Sequence, residues 1–192
     1  MGFFNDAYRG TPPWDIGRPQ REFVALEAAG AVRGSVLDVG CGTGENALFF
    51  ASKGHEVWGV DAAPTAIRKA RAKAKARGLD VTFRVHDALR LDRLGRTFDT
   101  VIDSGLFHTF DDVERTRWTK SVAAVLPPNG VYLMMCFSER QPGDWGPRRV
   151  TREEIRWTFA QGWRVDRIRE ARFEAAVDDG GAHAWLATIA RL

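Results

Sequence analysis

The sequence predicts an α/β fold built on an open, mostly parallel sheet, and three features carry that reading. A short apolar run, Val36-Leu37-Asp38-Val39, is followed by glycines at alternate positions, Gly40, Gly42 and Gly44, and an apolar helical pattern begins at Ala47. Strand and helix patterns then alternate along the chain, which implies parallel pairing with helical crossovers. The length of 192 residues suits one domain with a substantial core. We read residues 1–192 as that domain, with 1–34 as an N-terminal lid and helix segment and 35–192 as the core.

Residues 1–20 read as loop, unusually aromatic, combining Phe3, Phe4, Tyr8 and Trp14 with Pro12, Pro13 and Pro19. Prolines mixed with large aromatics favour an ordered cover over a dangling tail. A helix is expected from about Arg18 to Ala29, stopped by Gly30. The first strand is Ser35–Val39, and its helix runs from about Glu45 to Lys53. The second strand, Glu56–Val60, ends at Asp61, and Pro64 suits the first turn of a helix reaching Arg77. Val81–Val85 is the third strand, ending at Asp87, and Thr100–Ile102 is the fourth. A helix over about Asp112–Val125 leads through Pro127-Pro128-Asn129-Gly130 to the fifth strand, Val131–Phe137. Residues 138–150 read as a polar loop containing Trp145. Thr151-Arg152-Glu153-Glu154 is a capping-box pattern opening a helix to about Ala160. Trp163–Glu174 and Ala184–Arg191 read as closing strands, with Asp178-Asp179-Gly180-Gly181 as their hairpin signal.

Composition narrows the functional classes. Apolar residues make up 44% of the chain, which argues against disorder. No apolar run reaches the roughly 18–20 residues of a spanning helix. The N-terminus lacks a basic segment followed by an apolar core, so no secretory signal is expected. Asp6 occupies the Ser/Thr position that a myristoylation signal requires. Cys41 and Cys136 are too few and too far apart for a disulfide framework or zinc site. A cytoplasmic protein is the expectation, and no metal-ligand cluster stands at a recognisable spacing. The formal net charge is +3, and its densest basic run, Arg68 to Arg77, alternates with alanine. A solvated helix face explains that run better than a nucleic-acid stripe, so no nucleic-acid partner is expected.

The glycine turn constrains the ligand. A dinucleotide fingerprint counted from Gly40 places its third glycine at position 45, where this chain has Glu45. An acidic helix start also opposes a pyrophosphate. Glu45 and Asp38 suit a ligand bearing a positive amino group. The phosphate loop of nucleoside triphosphatases is absent.

The string Val36-Leu37-Asp38-Val39-Gly40-Cys41-Gly42-Thr43-Gly44 resembles motif I of class I S-adenosylmethionine-dependent methyltransferases. The resemblance implies a Rossmann-like, seven-stranded, mostly parallel sheet with a C-terminal antiparallel hairpin and helices on both faces. It implies S-adenosylmethionine as cofactor, its methionine half on Asp38, Gly40, Cys41, Gly42 and Gly44. Asp61, followed by Ala62, resembles the ribose-binding acid; its alternative is a cap for the helix at Pro64. Asp87-Ala88 resembles the adenine-reading pair; its alternative is a simple turn aspartate. Ser104, at the end of the fourth strand, would complete the cofactor site.

Pro13-Trp14-Asp15-Ile16-Gly17-Arg18 is similar to the entry segment of halide, thiol and thiopurine methyltransferases. It also resembles that of bacterial enzymes that methylate heterocyclic or quinone-like toxins. Trp14 matches a tryptophan that covers the cofactor; its alternative is plain core packing. The tyrosine that the halide and thiol enzymes carry on their fourth strand aligns with Ser104 here, which argues against halide. The expected reaction is methyl transfer to O, N or S of a small aromatic or heterocyclic acceptor. The expected acceptor site lies under Trp14 and is walled by Tyr8, Phe107, His108 and Trp145. His108 reads either as a general base, as a wall or hydrogen-bond donor, or as uninvolved. Thiol or halide methylation, an RNA or protein acceptor, and a cofactor-binding protein without turnover are the rival readings.

Overall fold

β-Branched and apolar runs too short for helices form the central layer. The computed structural model describes residues 2–176 and 178–192. Its strands are β1 (Val36–Val39), β2 (Val57–Asp61), β3 (Val81–Val85), β4 (Thr100–Ser104), β5 (Val131–Phe137), β6 (Trp163–Ala175) and β7 (Asp178–Arg191). They form one seven-stranded sheet in the order β3-β2-β1-β4-β5-β7-β6. β1 to β5 pair in parallel, and β7 runs antiparallel to both β5 and β6. The chain steps outward from β1 to β3, then returns to place β4 on the other side of β1. That reversal opens a crevice beyond the carboxyl ends of β1 and β4.

The helices are α1 (Gly2–Ala7), α2 (Arg21–Ala28), α3 (Glu45–Ser52), α4 (Pro64–Arg77), α5 (Asp112–Ala123) and α6 (Arg152–Thr158). Strand alternation divides the apolar residues between two cores. On one face Leu37, Val39, Tyr132, Met134 and Cys136 pack with Trp118 of α5 and Ile155 of α6. On the other, Val36, Leu133, Met135 and Phe137 pack with Phe23 of α2, Leu48 and Phe50 of α3 and Ile67 of α4. Helices on both faces follow from burial on both faces. The capping box at Thr151 forms as the sequence predicts, with Thr151 and Glu154 each accepting from the other's backbone N–H.

Four local expectations are corrected. Residues 2–7 form a helix, not a loop. α2 begins at Arg21 because Gln20 is extended and locked to β6. Its side chain donates to the Glu174 carbonyl and accepts from the Glu174 N–H, both at 2.9 Å. β7 starts at Asp178, which pairs with Ala175, so the predicted Asp178–Gly181 turn signal lies within the strand. Gly181, at φ +67°, sits instead beside a register shift between Phe173 and Ala175. The basic face of α4 is not merely solvated. Lys69 donates to the Gly10 carbonyl and Arg71 to the Phe83 carbonyl. The Thr65 N–H donates to Asn5, and the Ala176 N–H donates to the Pro13 carbonyl. The N-terminal cover is therefore tied to α4 on one side and to the β6 end on the other.

Candidate active site

The glycine turn after β1 is held by its own backbone. The N–H groups of Gly40 and Cys41 both donate to the Val60 carbonyl, at 2.8 and 3.0 Å. Gly42 and Gly44 have φ of +54° and +85°, a region costly for any residue with a Cβ. Their surroundings differ. A Cβ on Gly42 would lie 2.6 Å from the Tyr8 hydroxyl, and one on Gly44 would lie 2.6 Å from Phe83 Cζ. Gly42 lets the lid close on the turn, whereas Gly44 lets α3 pack on β3.

Two acids near this turn do other work than the sequence suggests. Asp38 does not reach the cavity. It is buried beneath the turn and accepts from the Ala47 N–H at 3.2 Å, bracing the start of α3. Burial, with Asp103 and Asp61 nearby, raises its pKa to about 8. Glu45 borders the cavity, but its carboxylate is engaged by Lys73 at 2.8 Å and by both terminal nitrogens of Arg77. Burial pushes its pKa up, the Arg77 and Lys73 hydrogen bonds outweigh it, and the net direction is down. Its charge is therefore already matched within the fold. Lys73 also donates to Thr43, whose hydroxyl donates to Asp15 of the lid at 2.7 Å.

At the end of β2, Asp61 lies on the cavity wall beside Ala62. Its carboxylate accepts from the N–H of Gly42 at 2.9 Å and of Ala63 at 2.8 Å. Burial raises its pKa against those two bonds. The same side chain steadies the chain just ahead of α4 and faces the cavity. At the end of β3 the alternative reading describes what is seen. Asp87 is exposed, off the cavity wall, and accepts from the Leu89 N–H at 2.9 Å to cap the 3-10 segment Ala88–Leu94. Ala88 and His86 face the cavity in its place.

Asp103, which the sequence reading passed over, organises the end of β4. It is fully buried and accepts from the N–H groups of Leu106 and Phe107 at 2.6 and 2.9 Å. The Tyr132 hydroxyl also donates to it at 2.9 Å, and the Trp118 indole donates to Tyr132. Burial raises its pKa to about 7. The turn it anchors presents Ser104 and His108 to the cavity and sends Phe107 the other way. Phe107 is fully buried in the core under the Arg115 guanidinium, 4.6 Å from the ring centre, so it is no acceptor wall.

His108 accepts from the Phe137 N–H through Nδ1 at 3.0 Å. Burial lowers its pKa to about 3, with the charges of Arg115 and Arg149 adding to the effect. Its ring meets Phe137 edge-on at 5.1 Å and Phe173 at 6.1 Å, and Trp145 meets Phe137 at 5.8 Å. Phe137 and Phe173, which also face the cavity, were legible only as strand residues. Arg149 holds the Trp145 loop by donating to the carbonyls of Gln141, Gly143, Trp145 and Pro147.

The lid closes the opposite side. The Trp14 indole donates to the Tyr8 hydroxyl at 2.9 Å, and Phe4 packs edge-on against Trp14. Between lid, glycine turn and the β4 turn lies a cavity of about 980 Å³. That volume lies at the upper end of the usual range for ligand pockets. Close-approach glycines, a carboxylate at the β2 end and an aromatic far wall fit a nucleoside with a second, flat ligand beside it.

Sheet order and a glycine turn at the switch point define an open α/β protein of the class that binds ligands beyond the carboxyl ends of its strands. A methyltransferase-domain family model matches residues 36–130. The chain is 39% identical over 193 aligned positions to the 2-heptyl-1-hydroxyquinolin-4(1H)-one methyltransferase of Mycobacteroides abscessus, covering 93% of this chain and 85% of the relative. It is 29% identical to a probable thiol methyltransferase 2 of Arabidopsis thaliana, over 70% of this chain and 61% of that protein. A solved structure described as converting a disulfide bond into a thioacetal group during echinomycin biosynthesis superposes with a TM-score of 0.90. Its identity is 39%, over 98% of this chain and 91% of that one. The chain belongs to the S-adenosylmethionine-dependent methyltransferase family. It is an enzyme, a methyltransferase, and its cofactor is S-adenosylmethionine. Among the described residues no helix is long and apolar enough to cross a membrane, and no group of three or more His, Cys, Asp or Glu could hold a metal.

Proposed function

We propose that the enzyme methylates a flat, hydroxylated heteroaromatic acceptor, with the acceptor between the lid and the β4–β5–β6 wall. The carrying observation is the aromatic wall of His108, Phe137, Phe173 and Trp145, which borders the same cavity as Tyr8 and Trp14. Such faces and edges suit a planar ring better than an ion. The hydroxyquinolinone named for the Mycobacteroides relative supports that class, and the Arabidopsis relative makes thiols the acceptor to compare.

In this reading S-adenosylmethionine supplies an electrophilic methyl group. Asp61 accepts from the ribose hydroxyls, the Gly40–Gly44 backbone receives the amino-acid end, and Ala88 and Ser104 border the base and the methyl group. Trp14 and Tyr8 exclude water, and alignment supplies most of the rate. The free thiols Cys41 and Cys136 suit a reducing compartment, so we read its place of action as the cytoplasm.

The test is methyl transfer to a panel of hydroxyquinolines, quinols, aliphatic and aromatic thiols and iodide, read as kcat/KM. Hydroxylated heteroaromatics are expected to lead; a lead for iodide or aliphatic thiols would overturn the acceptor class. A second test addresses the lid. An aromatic face near a sulfonium contributes about 0.5–2 kcal/mol. Trp14→Ala is therefore expected to weaken S-adenosylmethionine binding about 2- to 30-fold, and the neutral thioether S-adenosylhomocysteine less. Equal Kd changes by calorimetry would leave Trp14 a cover without a charge role.

A further inference from the structure

His108 stands where a base would be wanted, yet its hydrogen-bonding argues against that role. A neutral imidazole has one N–H and one lone pair on its ring nitrogens. The Phe137 N–H points at Nδ1, which must therefore carry the lone pair. The hydrogen stands on Nε2, and the nitrogen left for a ligand is a donor. The groups around the ring reinforce this arrangement. Arg115 approaches from α5 and Arg149 from the 138–150 loop, while Phe137 and Phe173 pack on it from β5 and β6. The Gly105 carbonyl, on the same turn, is the neighbour that favours a protonated ring.

The carboxylates bordering the cavity are Asp15, Glu45, Asp61 and Asp111. Asp15 accepts from Thr43, Glu45 from Lys73 and Arg77, and Asp61 from Gly42 and Ala63. Asp111 caps α5, accepting from the Glu114 N–H at 2.7 Å. The His108 ring thus offers one N–H donor; Arg115 and Arg149, whose charges disfavour its protonation, do not themselves line the cavity. Asp111 is the single exposed carboxylate among the four.

Resting on the hydroxylated-acceptor reading, we propose that the site takes its acceptor already ionised, with His108 Nε2–H donating to the anionic oxygen or to a carbonyl conjugated with it. The acceptor's proton goes to solvent before transfer. A bond then forms from the acceptor's lone pair to the methyl carbon, and the electron pair of the breaking carbon–sulfur bond stays on sulfur. Anion and sulfonium become two neutral products, and no enzyme group changes protonation. His108 is thereby a specificity-determining residue that selects acceptors acidic enough to ionise.

The test uses a ring-substituted hydroxyquinoline series with pKa values on both sides of neutrality. The pH profile of kcat/KM is expected to rise through each acceptor's own pKa, so that the inflection moves along the series. Binding with S-adenosylhomocysteine present, read by tryptophan fluorescence, is expected to tighten over the same interval. A hydrogen bond to a charged group makes His108→Phe about 10- to 100-fold slower in kcat/KM. His108→Gln, whose amide can donate, is expected to recover part of that loss. An inflection that stays at one pH for every acceptor would overturn the proposal. Its loss in Asp111→Asn would then identify the base. If none of the series binds or is methylated, the acceptor class itself fails and this inference falls with it. A fixed inflection with good turnover defeats the inference alone.

Discussion

Gly44→Ala is expected to lower the unfolding free energy by about 2–5 kcal/mol, the sum of two separable effects. A residue with a Cβ held in the left-handed region costs about 1–2 kcal/mol, and Gly44 has φ +85°. Overpacking a filled core adds about 1–3 kcal/mol, and the new Cβ would lie 2.6 and 2.9 Å from two Phe83 ring atoms and 3.1 Å from Ala70 Cβ. Gly54 provides the control. It lies just beyond α3 at φ +93°, with nothing within 4 Å of an added Cβ, so Gly54→Ala carries only the backbone effect of about 1–2 kcal/mol. Urea denaturation of both variants checks this. Equal losses would show that Phe83 yields and that crowding contributes nothing. With about 2–4 °C in Tm per kcal/mol for a chain this size, melting curves also separate them.

This contrast bears on what the glycine-rich turn is for. The spacing Gly40-x-Gly42-x-Gly44 announced strand, turn and helix because only glycine tolerates those dihedrals in succession, and that local signal survives folding unchanged. The sequence did not say what each missing side chain makes room for. Phe83 arrives from β3 and Tyr8 from the lid, so the division of labour among the glycines is set by tertiary closure. The strands β3 and β5 were legible to the residue for the same local reason, apolar runs bounded by turn signals. Asp103 was not, because its role depends on Tyr132 of the neighbouring strand and on a turn that folds back over it. Gln20 was not, because its partner is 154 positions away. The aromatic wall escaped for a related reason. Phe137 and Phe173 read as strand residues, and only the packing of β6 beyond β7 places Phe173 beside His108. Charge was misjudged where it pairs across elements: Glu45 invited a cationic ligand until Lys73 and Arg77 of α4 were seen to engage it.

The second large effect is a loss of stability as pH rises from about 6.5 to 8. Asp38 and Asp103 carry it, with folded-state pKa values near 8 and near 7, against about 3.9 in the unfolded chain. Between those limits the folded protein binds more protons than the unfolded one, so stability falls as pH increases. His108 acts in the opposite sense, but its window lies lower. Its folded pKa of about 3 against about 6.5 unfolded adds stability as pH rises to 6.5 and nothing beyond. The acids lowered by pairing, among them Glu45, Glu154 and Glu174, lose their contribution only as pH falls through the usual carboxylate range and below. Above 6.5 the buried aspartates therefore dominate, with an expected loss of about 2 kcal/mol by pH 8. Asp38→Asn keeps an oxygen to accept from the Ala47 N–H and removes the ionisation, so it is expected to flatten most of that decline. Unfolding free energies at pH 6, 7 and 8 for both proteins decide the matter, and a parallel decline in the variant would show that Asp38 ionises normally in the fold. The position of these two acids gives the effect a functional edge. Asp38 braces the helix that follows the glycine turn, and Asp103 ties down the turn that carries His108. A pH high enough to ionise both therefore acts on the two supports of the crevice at once, so the acceptor's own ionisation must be reached before the scaffold around it loosens.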